Sequence, residues 1–406
     1  MKSAMQTDNP ISSGSARGGT LRSLVIAAIA FFTVVDLFAT QAILPILAEA
    51  YRVTPGQMAI AVNATTLGMA AGGLLVALFG RVVDRRIGVV VALVLLAIPT
   101  ALLAHAPNLM DFALLRVAQG LCMSAAFGLT LAHLGEACGP ADAAGAFAAY
   151  ITGNVASNLI GRLVAASVST GFGLASNFYL FALLNLFGAV LAGFAIHQVR
   201  PMAAVDILPK MGVSHRLRGL TRGPLLAAFG IGFCILFSFI GVFSYVNFVL
   251  VKAPLALSMM SVGLVYFVFV PSIVVTPQAG RLITLFGTRG TLWLGLGLAL
   301  VALPLLLADR VALVLLSMSM IGVGTFLAQA TATGYVNRTA QDRASASGVY
   351  LAAYFSGGLV GTAVLGVLFD QTGWAGCVAG VGVALVVGMV LVTRLETPPA
   401  RPVVAL

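Results

Sequence analysis

The chain has 406 residues, of which 60% are hydrophobic and only 8% are charged. A soluble domain carries about 25% charged residues to cover its surface, so this composition excludes a soluble protein and predicts one embedded in a bilayer. The formal net charge of +10 could indicate a nucleic-acid partner, but the positions of the basic residues along the chain argue against that.

The chain begins with a polar segment and continues as a series of apolar runs. Residues 1–20 are rich in serine and glycine, and we expect segment 1–21 to be a disordered cytoplasmic tail. A membrane-spanning helix needs about 20 mostly apolar residues. Twelve such runs follow, numbered here as spans 1 to 12: 24–48, 57–79, 88–106, 109–134, 144–168, 177–196, 225–250, 258–277, 291–308, 311–335, 346–369 and 374–393. A count of eleven would put the two ends of the chain on opposite sides.

The basic residues decide between these topologies. With twelve spans and both ends inside, the inside segments hold 17 of the 22 lysine and arginine residues, the outside segments hold 3 and the spans hold 2. The positive-inside rule therefore favours twelve spans with both termini in the cytoplasm. Basic loops that face anionic lipid also account for the net charge without nucleic acid. We predict a multi-pass protein of the cell inner membrane.

The two halves of the sequence repeat each other. AAYITG at 148–153 in span 5 matches AAYFSG at 352–357 in span 11, and Gly80-Arg81 after span 2 matches Gly280-Arg281 after span 8. Since six spans is an even number, duplicated halves enter the membrane with the same orientation, as in transporters that rock two bundles about a central site. We predict an all-α integral membrane fold with six-helix bundles at 22–197 and 224–394, a cytoplasmic linker at 198–223 and a cytoplasmic tail at 395–406.

Three stretches resemble the major facilitator superfamily. The loop from Gly80 to Gly88 is similar to the GxxxDRxGRR loop of that superfamily, with the last glycine one position late, and Arg116 to Gly120 is similar to its RxxQG element. The stretch from Tyr150 to Asn154, running on to Gly161-Arg162, resembles bacterial arabinose-efflux-permease-like exporters within the twelve-helix drug:proton antiporter branch.

The resemblance covers essentially the whole chain and implies the major facilitator fold working as a monomer. It also implies a gate at the loop after span 2, formed by Gly80, Asp84, Arg85 and Arg86. The Asp84 carboxylate would cap the N-terminus of a helix in the other repeat. An ordinary solvated loop charge is the alternative interpretation.

Asp36 and Arg116 are candidates for proton coupling. A carboxylate inside a membrane is costly unless it is paired or can take up a proton. At 1.5 Å per residue, Asp36 lies about 20 Å from the inner end of span 1 and Arg116 about 10 Å from the outer end of span 4, which is the same depth in a membrane about 30 Å thick. We therefore expect the two side chains to meet, directly or through water. We hypothesise that Asp36 takes a proton from outside, which weakens its hold on Arg116 and on substrate; a fixed ion pair between spans 1 and 4 is the alternative.

Other polar residues inside the spans are candidates for a substrate cavity. Two stripes at helical spacing would line a wet cavity: Arg116, Gln119 and Met123 in span 4, and Asn154, Asn158 and Arg162 in span 5. Snorkelling of Arg162 to the interface is an alternative. The second half adds side chains that suit an amphiphilic organic substrate: Tyr245, Asn247, Tyr266, Gln329, Tyr350 and Tyr354. Packing or an interfacial aromatic belt is the other interpretation of these six.

Together these patterns predict a secondary transporter, namely a proton-coupled exporter of a small drug-like, sugar or metabolite compound that works by alternating access. An importer or uniporter on the same fold is the first alternative, and a non-transporting receptor or membrane enzyme is the second. We expect no enzyme, because the sequence offers no nucleophile–base pair or paired carboxylates. We also expect no metal and no cofactor, since it has no CxxC pair or set of four ligands. The expected partners are the substrate, protons and lipid.

Overall fold

The computed structural model describes residues 13–79, 83–137, 140–196, 223–340 and 343–396. Several segments of the predictions lie outside the described residues. They are residues 1–12, Gly80 of the predicted gate, the predicted linker up to residue 222, and residues 397–406.

Within the described ranges the chain is helical and contains no strand. The first half consists of α1 (Ser13–Ala42), α2 (Leu44–Tyr51), α3 (Pro55–Phe79), α4 (Arg85–Leu102), α5 (Leu109–Ala137) and α6 (Pro140–Ala195). The second half consists of α7 (Gly223–Leu250), α8 (Met259–Val265), α9 (Val270–Val275), α10 (Ala279–Ala302), α11 (Val311–Thr339) and α12 (Arg343–Val392). Short 3₁₀ turns follow α4, α8, α9 and α10 at Leu103–His105, Tyr266–Phe269, Thr276–Gln278 and Leu303–Leu307.

The number of membrane crossings follows from the lengths of the helical stretches. Nine stretches of the described residues are long and apolar enough to cross, and three of these are 47 residues long. A straight helix of that length would measure about 70 Å, more than twice the hydrocarbon thickness. Each long stretch contains one glycine with positive φ, at Gly173, Gly287 or Gly373, where the helix is interrupted and the chain turns back. Six single and three double crossings make twelve, so the predicted number of spans is confirmed.

The sequence repeat corresponds to a repeat in packing. A β-carbon on Gly153 would lie 2.0 Å from the Ala27 carbonyl oxygen of span 1, and one on Gly357 would lie 2.1 Å from the Phe233 carbonyl oxygen of span 7. Span 11 therefore approaches span 7 as closely as span 5 approaches span 1, and only glycine permits either contact. The fold is the predicted pair of repeated six-helix bundles.

Span 1 differs from its prediction at both ends. Helix α1 already begins at Ser13, inside segment 1–21 that we expected to be a disordered tail. Extending an existing helix adds one hydrogen bond per residue fixed, whereas starting a new one is unfavourable, so the apolar part of span 1 can carry the helix backwards. At the other end α1 stops at Ala42 and α2 starts anew at Leu44 with Pro45 in its first turn. Proline lacks the N–H and crowds the preceding turn, which breaks the predicted span 24–48.

Span 8 is irregular where a single helix was predicted at 258–277. It runs as α8, a 3₁₀ turn at Tyr266–Phe269, α9 and a second 3₁₀ turn at Thr276–Gln278. Pro271 and Pro277 lie in its second half and remove two helix donors. The first 3₁₀ turn places Tyr266 at the contact between the two bundles.

Candidate substrate and proton site

Asp36 lies in the middle of the first bundle and is only 2% exposed. Its Oδ2 accepts hydrogen bonds from Thr100 Oγ1 of span 3 at 2.8 Å, from Asn185 Nδ2 of span 6 at 2.8 Å and from Gln119 Nε2 of span 4 at 3.4 Å. Its Oδ1 is buried with no hydrogen-bond partner. We call Asp36, Thr100, Arg116, Gln119 and Asn185 the acid cluster; it joins four spans of the first bundle around one carboxylate.

Arg116 completes this cluster without a hydrogen bond to the carboxylate. It is fully buried, and its Nε donates to the Val62 carbonyl at 2.8 Å while Nη1 donates to Gln119 Oε1 at 2.7 Å. Nη1 also reaches the backbone carbonyl of Asp36 and Thr40 Oγ1, both at 3.2 Å. Nη2 has no hydrogen-bond partner. The structure therefore brings Asp36 and Arg116 into one cluster, and Gln119 bridges the carboxylate and the guanidinium.

A second cluster connects the two bundles. At its centre, Gln41 Oε1 accepts from Arg162 Nη2 at 2.6 Å, Gln41 Nε2 donates to Asn63 Oδ1 at 2.7 Å, and the Gln41 carbonyl accepts from Asn247 Nδ2 at 2.8 Å. Asn63 donates onward to Ser244 Oγ at 3.0 Å, and the Tyr266 hydroxyl donates to Asn247 Oδ1. We call this the interbundle cluster, formed by Gln41, Asn63, Arg162, Ser244, Asn247 and Tyr266. It ties spans 1, 2 and 5 of the first bundle to spans 7 and 8 of the second.

The Arg162 side chain is fully buried in this cluster and does not snorkel to the interface. Its guanidinium carbon lies 4.3 Å from the ring centroid of Tyr266, 5.7 Å from that of Phe38, 5.9 Å from that of Phe269 and 6.0 Å from that of Phe243. Nη1 also donates to the Phe243 carbonyl at 3.5 Å, whereas Nε has no partner. Aromatic faces attract a desolvated cation, so these four rings offset part of the cost of burying the charge.

Three predicted cavity residues of the second half lie together. The rings of Tyr350 and Tyr354 are stacked with centroids 6.1 Å apart, and the Tyr354 hydroxyl interacts with the half-buried Gln329 side chain. We call these three residues the tyrosine cluster. Tyr354 is the repeat counterpart of Tyr150, which lies edge-on to Phe127 and has a buried hydroxyl with no hydrogen-bond partner.

The remaining cavity candidates divide into polar and packed residues. Asn154 is half-buried, and Asn158 is fully buried with neither amide atom hydrogen-bonded. Met123 is fully buried, and the Tyr245 hydroxyl donates to the Thr362 carbonyl at 2.7 Å, so Tyr245 belongs to the contact of span 7 with span 11.

Of the four predicted gate residues, the structure describes Asp84, Arg85 and Arg86. The Asp84 carboxylate accepts a hydrogen bond from the Ile87 N–H at 2.9 Å and so caps α4, its own helix, where we expected it to cap a helix of the other repeat. Arg85 is half-buried and donates to the Val83 carbonyl at 3.4 Å, and Arg86 is exposed. A side chain at the N-cap position reaches its own first turn most easily, because those N–H groups have no partner within the helix.

A carboxylate of the second bundle caps a helix of the first at the opposite end of the molecule. Asp370 Oδ2 accepts from Thr54 Oγ1 at 2.9 Å, and Oδ1 accepts from the Gly56 N–H at 3.2 Å, at the start of α3. We call this end the outer face, after the charge-based prediction. This contact and the interbundle cluster hold the two bundles together toward the outer face.

Sequence reasoning missed several members of these groups: Gln41, Thr100, Asn185, Ser244 and Asp370. Four of them are uncharged polar residues inside apolar spans, and the fifth is an acid at the end of span 11. Their position inside or beside hydrocarbon was the available signal, because a polar group there needs a partner.

Twelve crossings in two repeated bundles, with buried polar clusters within and between them, define a membrane transporter of the two-bundle class. Residues 26–270 and 231–405 match the family model of the Major Facilitator Superfamily, and the chain belongs to that family.

Named relatives agree with this assignment. The chain is 26% identical over 363 residues to the "Inner membrane transport protein YnfM" of Escherichia coli (strain K12), covering 89% of this chain and 87% of that protein. It is 23% identical over 361 residues to the "Uncharacterized MFS-type transporter YybF" of Bacillus subtilis (strain 168), covering 88% and 89%. Among solved structures, a bacterial homolog of the human lysosomal transporter Spinster, in an inward-facing and unoccupied conformation, superposes with a TM-score of 0.69 at 12% identity, covering 93% of this chain and 94% of that one. That last similarity supports the fold alone.

Proposed function

We propose that this transporter exports a small organic compound across a bacterial inner membrane in exchange for protons. The E. coli relative named as an inner membrane transport protein supports this location. The proposal includes both termini in the cytoplasm, a monomer, and two moving bodies at 22–197 and 224–394 joined by the linker 198–223.

The observation that carries the proposal is the unequal use of the two Asp36 oxygens. Oδ2 accepts three hydrogen bonds, whereas Oδ1 is buried and accepts none. A proton bound at Oδ1 would leave the bonds at Oδ2 in place, so the acid cluster can be protonated without being dismantled. Protonation removes the negative charge that faces Arg116, and an unneutralised buried guanidinium is unstable. The acid cluster therefore has two charge states that favour different arrangements of span 1.

Span 1 connects the acid cluster to the contact between the bundles. Arg116 donates to Thr40, whose hydroxyl in turn donates to the Asp36 carbonyl at 3.0 Å. The next residue, Gln41, holds Arg162 and Asn247 in the interbundle cluster. A shift of span 1 at Asp36 therefore moves Gln41, which lies less than two helical turns away, and loosens the contact that closes the outer face.

This connection supports an exchange cycle. Substrate enters from the inner side and displaces the interbundle contacts, which opens the outer face and exposes Asp36 to protons. Proton uptake weakens the hold of Asp36 on Arg116, span 1 returns, and Gln41 bonds Arg162 again as the substrate leaves. The half-buried Asn154, the unpartnered Asn158 and the tyrosine cluster provide polar and aromatic surface for an amphiphilic compound.

The test is a flux screen in proteoliposomes that contain a pH-sensitive dye. Protein-free vesicles and a protonophore are the controls. For an exchanger, vesicles with an acidic interior should accumulate substrate and lose their gradient faster, while vesicles with an alkaline interior should not. Accumulation driven only by an alkaline interior would indicate proton-coupled import, and equilibration independent of any gradient would indicate a uniporter.

A further inference from the structure

The buried charges of the described spans do not balance. The buried ionic side chains are Asp36, Arg116 and Arg162, besides His133 in span 4 at 9% exposure. Asp36 and Arg116 share the acid cluster, which leaves Arg162 as the unmatched cation. The hydrogen-bond acceptors of Arg162 are the Gln41 amide oxygen, the Phe243 carbonyl and the Tyr266 hydroxyl, and all three are uncharged groups. A charge removed from water without an opposite charge is costly, even among aromatic rings.

Two hydrogen-bond donors at this place lack an acceptor. Arg162 Nε is buried and unpartnered, and the Asn158 amide, one turn earlier on the same face of span 5, is buried with both atoms unpartnered. Residues four apart on a helix are neighbours, about 5–6 Å between their β-carbons. Asn154, one further turn toward the inner side, is half-buried. Span 5 thus presents a line of amides that leads to one unsatisfied guanidinium.

We infer that the transported compound is a small organic monoanion whose carboxylate binds Arg162 and Asn158. One carboxylate oxygen would accept from Arg162 Nε and the other from Asn158 Nδ2, which satisfies both donors and the charge together. One cation beside neutral donors matches a single negative charge, whereas a dianion would leave excess charge among apolar rings. The faces of Phe38 and Phe243 favour an apolar or aromatic body behind the carboxylate.

This inference rests on the proposed substrate site, and it adds a condition to the exchange cycle. An anion in the first bundle attracts a proton to Asp36, which by itself favours transport in the same direction. Exchange therefore requires that the anion, by drawing the Arg162 guanidinium toward Asn158, weakens the bond from Arg162 Nη2 to Gln41 and that this effect outweighs the attraction of the proton. The sign of proton movement is thus separable from the binding of the anion.

The experiment measures thermal stability of the purified full-length protein in detergent at fixed pH, with a library of several hundred small carboxylic acids and their matched primary amides. Because no gradient or flux is involved, failure of proton-driven export leaves the binding result unaffected. We expect at least one acid to give a saturable increase in unfolding temperature, with its amide at least tenfold weaker. Arg162→Gln should abolish the effect, and Lys252→Gln, which removes an exposed cation at the outer face, should retain it.

A second variant tests the inference even if Arg162→Gln fails to fold. Asn158→Asp places a carboxylate beside Arg162 within the chain itself, so the unliganded protein should unfold at a higher temperature and should no longer bind the acid. Three results would overturn the inference: acids and amides binding equally, acid binding that survives in either variant, or no saturable effect from any acid in the library.

Discussion

Replacing Asp36 by asparagine tests the proton-coupling role with little change in shape. Asparagine keeps an acceptor oxygen where Oδ2 accepts from Thr100 and Asn185, and it puts an NH₂ group where Oδ1 has no partner. It cannot take up a proton at neutral pH. We expect Asp36→Asn to abolish proton-driven flux while insertion and folding persist.

The structure sets the size of the stability change. Two short hydrogen bonds to a charged oxygen become bonds to a neutral one, which loses about 1 kcal/mol each. Removing the buried carboxylate charge returns part of its desolvation energy. It also leaves the buried Arg116 guanidinium without a nearby counter-charge, and breaking a buried pair in this way costs about 3–5 kcal/mol. Asp36→Asn should therefore fold but unfold at a lower temperature than the wild type.

The assay compares wild type, Asp36→Asn and Thr33→Val in the same proteoliposomes. Thr33 is buried in span 1 about one turn before Asp36, and its hydroxyl donates to the Ile29 carbonyl of its own helix at 2.7 Å. Thr33→Val should therefore transport like the wild type. Wild-type coupling in a folded Asp36→Asn variant would refute the role assigned to this carboxylate.

Two further predictions concern the outer face and the repeat. Asp370→Asn weakens the cap that Asp370 places on α3, which at an exposed site contributes about 0.5–1 kcal/mol. A cysteine at the half-buried Val53, beside this contact, should then react with a membrane-impermeant thiol reagent about two- to fivefold faster. An unchanged rate would show that the contact does not hold this face closed. The substitutions Gly153→Ala and Gly357→Ala each force a β-carbon to about 2 Å from a backbone oxygen. Each should lower the free energy of unfolding by at least about 1–3 kcal/mol, measured by thermal unfolding. The control Gly171→Ala has nothing within 4 Å of its β-carbon and should unfold near the wild-type temperature. Equal effects at all three glycines would contradict the close packing of the repeated spans.

The fold was predictable because the bilayer limits the choices. The length of the apolar runs determines where the chain can cross the membrane. The distribution of basic residues among the loops favoured twelve crossings over eleven. The repeat was visible as AAYITG and AAYFSG, and the structure supplies its physical reason in the close approaches at Gly153 and Gly357. The breaks within spans were harder to predict, because proline lowers helix stability at Pro45 and in span 8 without specifying where the chain re-forms a helix.

The charged residues of the site and the neutral Gln119, Asn247 and Tyr266 were candidates from the sequence, whereas the hydrogen-bond partners of these residues were not predictable. Depth counting along two helices brought Asp36 and Arg116 to one level, and they share a cluster. The bridging role of Gln119 and the hydrogen bond from Asn185 depend on the orientation of each span about its own helix axis. Helical spacing within one span does not determine that rotation relative to another span. Gln41 was missed for the same reason, although it lies at the centre of the interbundle cluster.

The central claim is that substrate at the interbundle cluster and a proton at Asp36 exclude each other. Proton exchange during substrate binding, measured by a pH indicator with the purified protein in weakly buffered detergent solution, tests this directly. Linkage predicts the release of up to about one proton per bound substrate from the wild type, and none from an Asp36→Asn variant that still binds. Proton uptake on binding, or equal release from both proteins, would contradict the claim.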